Sequence, residues 1–269
     1  MTSTPAGPER PIGVFDSGLG GLTVLRALID LLPATPTIYF GDTGRFPYGP
    51  KPSDEVLKYS LEIADLLVDQ GVALIVVACN SATSVALEAL GARYEIPVIG
   101  VVDPGVRAAA AVTSSGRVGV IGTVGTIASG AYQRAAAGLG VELTCAACPG
   151  FVEFVESGDV DSDQVHVLAE RLLEPVRRAG VDTLVLGCTH YPLLARTIAD
   201  VMGPDVVLVS SADETAFAAR RMLGAGRPDS GPGTVARRFI TSGDPDRFCV
   251  LGSRFLGPEV VTAEAWRWS

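Results

Sequence analysis

Two cysteines carry the strongest chemical signal in the chain. Cys79 and Cys188 each follow an apolar, β-branched run, and each is followed within a few residues by a helical pattern. The C-terminal end of a buried parallel strand is where α/β sheets place ligands, and the next helix offers free N–H groups and a partial positive charge there. Both favour a thiolate, the reactive form of a group whose free pKa is about 8.5. A single cysteine in such a place is often only a small buried hydrophobe. Two of them, flanked by Asn80-Ser81 and by Thr189-His190, argue for chemistry. Two acid/base groups facing each other across a cleft suit inversion of a carbon stereocentre. One removes a proton from one face, the other returns a proton to the opposite face, and the roles exchange in the reverse direction.

Other segments add candidate groups. Asp16-Ser17-Gly18-Leu19-Gly20-Gly21 follows the first strand. Its glycines allow a tight turn and close approach of a ligand, or Asp16 simply caps a helix. As a dinucleotide fingerprint it is imperfect. The third glycine position is Thr23, although Asp42 could stand in for a ribose-binding acid. The loop Gly41 to Gly49, rich in Gly, Pro and polar groups, is either functional or a turn. Gly122-Thr123-Val124-Gly125-Thr126 is a hydroxyl-rich turn able to cap a helix or bind a carboxylate. Cys145 and Cys148 have the spacing of a redox or metal pair, but no second pair exists. Glu153, after Pro149-Gly150, points into the cleft or serves as a first-turn helix carboxylate. His166 is expected to be structural or solvated.

The elements that must position these groups alternate. Strands are expected over Pro11–Phe15, Thr37–Phe40, Val72–Ala78, Pro97–Val102, Arg117–Ile121, Val141–Ala146 and Val181–Leu186. Helices are expected over Gly21–Leu32, Ser53–Gln70 (Ser53 as N-cap, Gly71 at the C-terminal end), Ser81–Tyr94, from the Gly/Thr turn to about Leu139, Asp163–Ala179 and Pro192–Met202. After Ser210 come a helix, a polar stretch from Gly224 to Gly233, and a short strand at Arg238–Thr241. This order implies right-handed βαβ units and mainly parallel sheets. A weak internal repeat lays Gly71–Asn80 over Gly180–Thr189 at an offset of 109 residues, and Ile12–Phe15 over Val118–Ile121 at an offset of 106. Two similar α/β domains follow: residues 1–101, completed by 211–269, and residues 102–210.

Composition narrows the function. The chain has 269 residues, 48% apolar and 19% charged, which suits a packed core and not a disordered chain. Its net charge of −9 argues against a general nucleic-acid or anionic-membrane binder. Met1–Arg10 is polar with two prolines, unlike a signal peptide, and the longest apolar run, Val72–Cys79, is far short of a membrane span. Five cysteines imply no disulfide framework, so a reducing cytoplasm is expected. Lys51 and Lys58 are the only lysines, and His166 and His190 the only histidines. Few residues are therefore available for a pyridoxal-phosphate Schiff base or a zinc-hydrolase ligand set.

Taken together the segments resemble the glutamate racemases of the cofactor-independent aspartate/glutamate racemase superfamily. The resemblance runs from Ile12–Gly21 through Pro47-Tyr48-Gly49, Ala78-Cys79-Asn80 and Gly187-Cys188-Thr189-His190 to Thr241–Pro245. It implies two α/β domains related by pseudo-two-fold symmetry with the site between them. It also implies interconversion of L- and D-glutamate, supply of D-glutamate to peptidoglycan, no cofactor or metal, and a homodimer. Cys79 and Cys188 match the catalytic cysteines, Cys79 for the D-enantiomer and Cys188 for the L-enantiomer. Asp16, His190 and Glu153 match assisting groups. Asp16, Ser17, Tyr48, Gly49, Asn80, Ser81, Thr189 and His190 match substrate-binding positions, with Thr123 and Thr126 as further candidates. Ser81 stands where threonine is common, and keeps the hydroxyl. Gly44 stands where a larger residue is common, and is expected to loosen that loop and change substrate access. Racemisation of a related amino acid such as aspartate, a hydantoin-type reaction, and a non-catalytic glutamate-binding module are the alternatives.

Overall fold

A computed structural model of the chain describes residues 10–224 and 235–268. The polar stretch expected after Gly224, and the start of the chain up to residue 9, lie outside the described residues. In chain order the first elements are β1 (Ile12–Asp16), α1 (Leu22–Leu31), β2 (Thr37–Gly41), α2 (Ser53–Asp69), β3 (Leu74–Val77), α3 (Asn80–Arg93) and β4 (Val98–Gly100). Next are α4 (Val102–Val112), β5 (Arg117–Gly122), α5 (Val124–Ala128), α6 (Ala131–Ala136), β6 (Glu142–Ala147), α7 (Phe151–Ser157) and α8 (Asp163–Arg178). Then follow β7 (Thr183–Gly187), a 3-10 turn at Tyr191–Leu194, α9 (Ala195–Met202), β8 (Val207–Ser210) and α10 (Ala212–Leu223). The chain closes with β9 (Arg237–Thr241), α11 (Pro245–Leu256) and β10 (Glu264–Ala265).

These strands form two parallel sheets. The first has the order β10-β9-β2-β1-β3-β4 and the second β6-β5-β7-β8. The sequence β2-β1-β3-β4 is repeated as β6-β5-β7-β8, so the internal repeat of the primary structure is a repeat of strand order. In each sheet the chain reverses direction of travel beside its first strand, the switch point at which open α/β sheets open a crevice. Register reinforces the match: Phe15 lies beside Val77, and Ile121 beside Leu186.

Apolar residues fill both faces of both sheets, as parallel sheets require. On the first, Ile12, Val14, Leu74 and Val76 face one core, while Phe15, Ile75, Val77 and Cys79 face the other. On the second, Leu184, Leu186 and Cys188 share one core, and Val118, Val120 and Val185 another. Each key cysteine therefore keeps the period-two phase of the strand before it.

Several expected elements shift. The fourth strand ends at Gly100, and Val102–Val112 is a helix. Its Pro104 sits in the first turn, where a missing N–H costs no helical bond. The single helix expected before Leu139 is two, α5 and α6, broken at Gly130, whose φ is +67°. Pro52, not Ser53, holds the N-cap position of α2, while Gly71 at φ +74° does close that helix. The segment Pro192–Met202 begins as a 3-10 turn and becomes α9.

Candidate active site

Cys79 is itself the N-cap of α3. Its sulfur accepts a hydrogen bond from the Ala82 amide at 3.4 Å, and lies 3.6 Å from the Ser17 hydroxyl. The helix-terminus donor anticipated from sequence is present. Yet burial, and then the charge of Asp16, push this thiol up to about 12. Desolvation of the charged form outweighs the three hydrogen bonds that favour it. Cys79 thus rests as a thiol.

Asp16 ends β1 with no exposure, one carboxylate oxygen taking the Gly18 amide at 2.8 Å and the other the Thr189 hydroxyl at 3.2 Å. Burial raises its carboxyl above the usual value, opposed by the charge of His190 and the amides of Gly18 and Gly21. The glycines of this turn make room for the other half of the site. A Cβ on Gly20 would stand 2.3 Å from Thr189 Oγ1 and 2.5 Å from His190 Nδ1, and one on Gly18 would meet the Phe46 ring at 2.8 Å. They are there for packing across the cleft, which removes the case for a phosphate cradle. Asp42, the nominal ribose acid, is fully buried and bonded to Arg45, Tyr48, Ser242 and Trp268.

The second thiol has a different partner. The four-residue 3-10 turn after β7 gives Cys188 no capped α-helix; positive charge comes instead from His190, whose Nδ1 lies 4.0 Å from the sulfur. The far nitrogen, Nε2, is 2.8 Å from Oε1 of Glu156 on α7. Burial works against a charged ring, but the bonds to Cys188 and Glu156, with the charges of Cys188 and Asp16, outweigh it and push His190 up to about 10. Phe46 and Phe255 enclose the ring, at centroid distances of 5.8 and 5.6 Å.

Cys79 and Cys188 line one cleft, with Ser17, Tyr48, Gly49, Asn80, Ser81, Thr123, Thr189 and His190 around them, and Phe46, Pro47 and Val152 closing the walls. Asp16 and Thr126, both with no exposure, stand behind these groups. Its polar lining is rich in hydroxyls. Ser81 on α3 meets Thr123 at 3.0 Å and Thr126 at 3.1 Å, and those two are 2.9 Å apart. Asn80 donates to the Tyr132 hydroxyl at 2.9 Å, while its buried Oδ1 has no hydrogen-bond partner among the described residues. Gly49 accepts from the Gly125 amide at 3.0 Å, tying the loop after β2 to the helix after β5. Hydroxyls, amide groups and helix N-termini here suit a zwitterion bearing carboxylates.

One expected residue is replaced. Glu153 is exposed on the first turn of α7 and lines the outer depression with Pro47, Gly49, Thr123 and Val152. The carboxylate that reaches His190 is Glu156, one turn further along. Both follow Pro149-Gly150 in sequence, and only the position of His190 distinguishes them. Cys145 and Cys148 do not form a pair. Their odd spacing puts them on opposite faces of the second sheet, in separate cores, and both are free thiols. Among the described residues no group of three or more His, Cys, Asp or Glu is arranged to hold a metal ion, and no helix is long and apolar enough to cross a membrane.

Comparison with known proteins gives a consistent result. Residues 12–219 match the family model described as Asp/Glu/Hydantoin racemase. A glutamate racemase of Acidothermus cellulolyticus is 55% identical over 254 residues, covering 93% of this chain and 96% of that protein. The crystal structure of glutamate racemase from Thermus thermophilus in complex with beta-chloro-D-alanine has 43% identity and a TM-score of 0.86, covering 97% of this chain and 98% of the other. That of glutamate racemase from Francisella tularensis in complex with D-glutamate has 33% identity and a TM-score of 0.88, covering 96% and 97%.

Proposed function

The chain belongs to the Asp/Glu/Hydantoin racemase family, and on that premise we propose that it is an isomerase that interconverts L- and D-glutamate by proton transfer between two thiols. The observation that carries the reading is that Cys79 and Cys188, from repeat-related strands, line a single cleft. In the L-to-D direction a Cys188 thiolate, facing the His190 cation, removes the α-proton. The Cys79 thiol delivers its proton to the opposite face, leaving Cys188 protonated and Cys79 as thiolate. The D-to-L direction runs the same steps backwards. Glu156 keeps His190 charged and oriented. Asp16 holds Thr189, and its charge adds to the burial that keeps Cys79 protonated.

Substrate is held by Ser17, Tyr48, Gly49, Asn80, Ser81, Thr123, Thr189 and His190, with Thr126 bracing Thr123 and Ser81. The α-proton beside a carboxylate is very weakly acidic, so the developing negative charge needs preorganised donors in a site shielded from water. Nothing in this scheme calls on a cofactor or metal. The two units are residues 1–101 with 211–269, and residues 102–210; β9 and β10 extend the first sheet, which supports that division. The family resemblance further supports a cytoplasmic homodimer supplying D-glutamate for peptidoglycan. The deciding experiment follows the optical rotation of L-glutamate with purified protein and no additive. Decay toward zero supports the reading; a constant rotation, or faster racemisation of aspartate, refutes it. Sedimentation velocity tests the dimer.

A further inference from the structure

We propose that Trp268 is a positioning residue for the cleft, acting through Arg45 and Asp42 on the loop that carries Tyr48 and Gly49. The tail reaches this place because β10 pairs with β9, and the Trp266 amide then donates to the Thr241 carbonyl at 2.7 Å. The Trp268 ring packs on Phe40 with centroids 5.4 Å apart, and its Nε1 donates to Asp42 at 3.3 Å. The Arg45 guanidinium lies between two rings, 3.8 Å from the Trp268 centroid and 4.0 Å from that of Tyr59.

Arg45 donates Nε to Asp42 at 2.7 Å and Nη1 to Glu62 at 2.5 Å, while its buried Nη2 has no partner among the described residues. With one donor unspent, the guanidinium is held by its two carboxylate partners and by the half-buried faces of Tyr59 and Trp268, and a cation over an aromatic face is attracted by the ring quadrupole. Asp42 passes that placement on. Its carboxylate accepts from Tyr48, which is 1% exposed and lines the cleft next to Gly49. Removing the indole takes away one wall of the Arg45 sandwich and one of the four donors of Asp42. The loop then loses its fixed position while both thiols keep theirs.

The functional consequence rests on the proposed racemase reading, so the test has one arm that does not. Trp268→Ala is compared with wild type by amide hydrogen exchange and by glutamate kinetics. Faster exchange over residues 43–49 is expected, with β1 and β3 unchanged. KM should rise about ten-fold, equivalent to about 1.4 kcal/mol, with kcat close to wild type. Trp268→Phe, which keeps an aromatic face, should recover most of that loss. Arg45→Met should reproduce it, and the double variant should lose less than the sum of the two singles. An unchanged KM, or unchanged exchange over 43–49, overturns the proposal even if the melting temperature falls. If wild type leaves glutamate untouched, the racemase reading fails and the exchange arm alone decides whether Trp268 holds the loop. If Trp268→Ala does not fold, Arg45→Met carries the same decision.

Discussion

The Nε2 atom of His190 lies 2.8 Å from Oε1 of Glu156, with the opposite ring nitrogen 4.0 Å from the Cys188 sulfur. No equivalent imidazole stands beside Cys79, whose charged neighbour is the carboxylate of Asp16. The two thiols, alike in strand position, are thus electrostatically unlike. One faces a cation and the other an anion.

Glu156→Gln removes one of the bonds that hold His190 up to about 10. Activity that needs the imidazolium falls as pH rises through the His190 pKa, so the alkaline limb of kcat/KM for L-glutamate should move to lower pH. Stability follows the same sign. A pairing that raises a histidine is fully felt below its unfolded pKa of about 6.5 and is lost as pH climbs through the folded value. Denaturant unfolding should therefore show the largest gap between wild type and variant in mild acid. A limb at the same pH in both proteins would remove Glu156 from this role.

Cys79→Ala and Cys188→Ala should each reduce racemisation by at least about 10³-fold, because a missing acid or base leaves no route for the proton on that face. In deuterated water the newly formed enantiomer should carry deuterium at Cα while remaining substrate stays unlabelled at early times. Early labelling of recovered substrate would point to a single base.

Asp16→Asn should make Cys79 easier to alkylate. Burial, then the Asp16 charge, hold the thiol up to about 12, so removing the charge lowers it and increases the thiolate at any pH below that value. Iodoacetamide labelling of the Cys79 peptide at mildly alkaline pH, read by mass spectrometry, should be slow in wild type and faster in the variant.

Two glycines make a contrasting pair. Gly20→Ala drives a methyl into Thr189 and His190 and should abolish turnover. Gly91, exposed in α3 with no described atom within 4 Å of its absent Cβ, has no such conflict. Gly91→Ala should stabilise by about 0.8–1 kcal/mol and raise the melting temperature by about 2–4 °C with activity intact.

The sequence revealed the fold wherever periodicity was strong. Val72–Ala78 and Val181–Leu186 read as central strands because both faces of a parallel sheet are covered, and the cysteines at their ends followed. Short or irregular elements were less legible. Val102–Val112 begins Val-Asp-Pro-Gly, a turn signal by composition, and its helix is fixed where Val102, Val106 and Ala109 are buried in the core that the element shares with β7, β8 and α6. Glu156 could not be chosen over Glu153 from spacing, since the choice is made by a histidine 34 residues away. Trp268 has no local signal at all; its importance arises from where β10 leaves the tail.

The bond between the Gly125 amide and the Gly49 carbonyl joins the loop after β2 to the start of α5 beside the cleft through main chain alone. Such a clasp has no side chain for evolution to trim, and it survives any drift that leaves both residues bare. A Cβ on Gly125 would come within 2.6 Å of that same carbonyl oxygen. A single methyl at position 125 is therefore the smallest wedge that would pry the entrance ajar without touching a group that handles the proton.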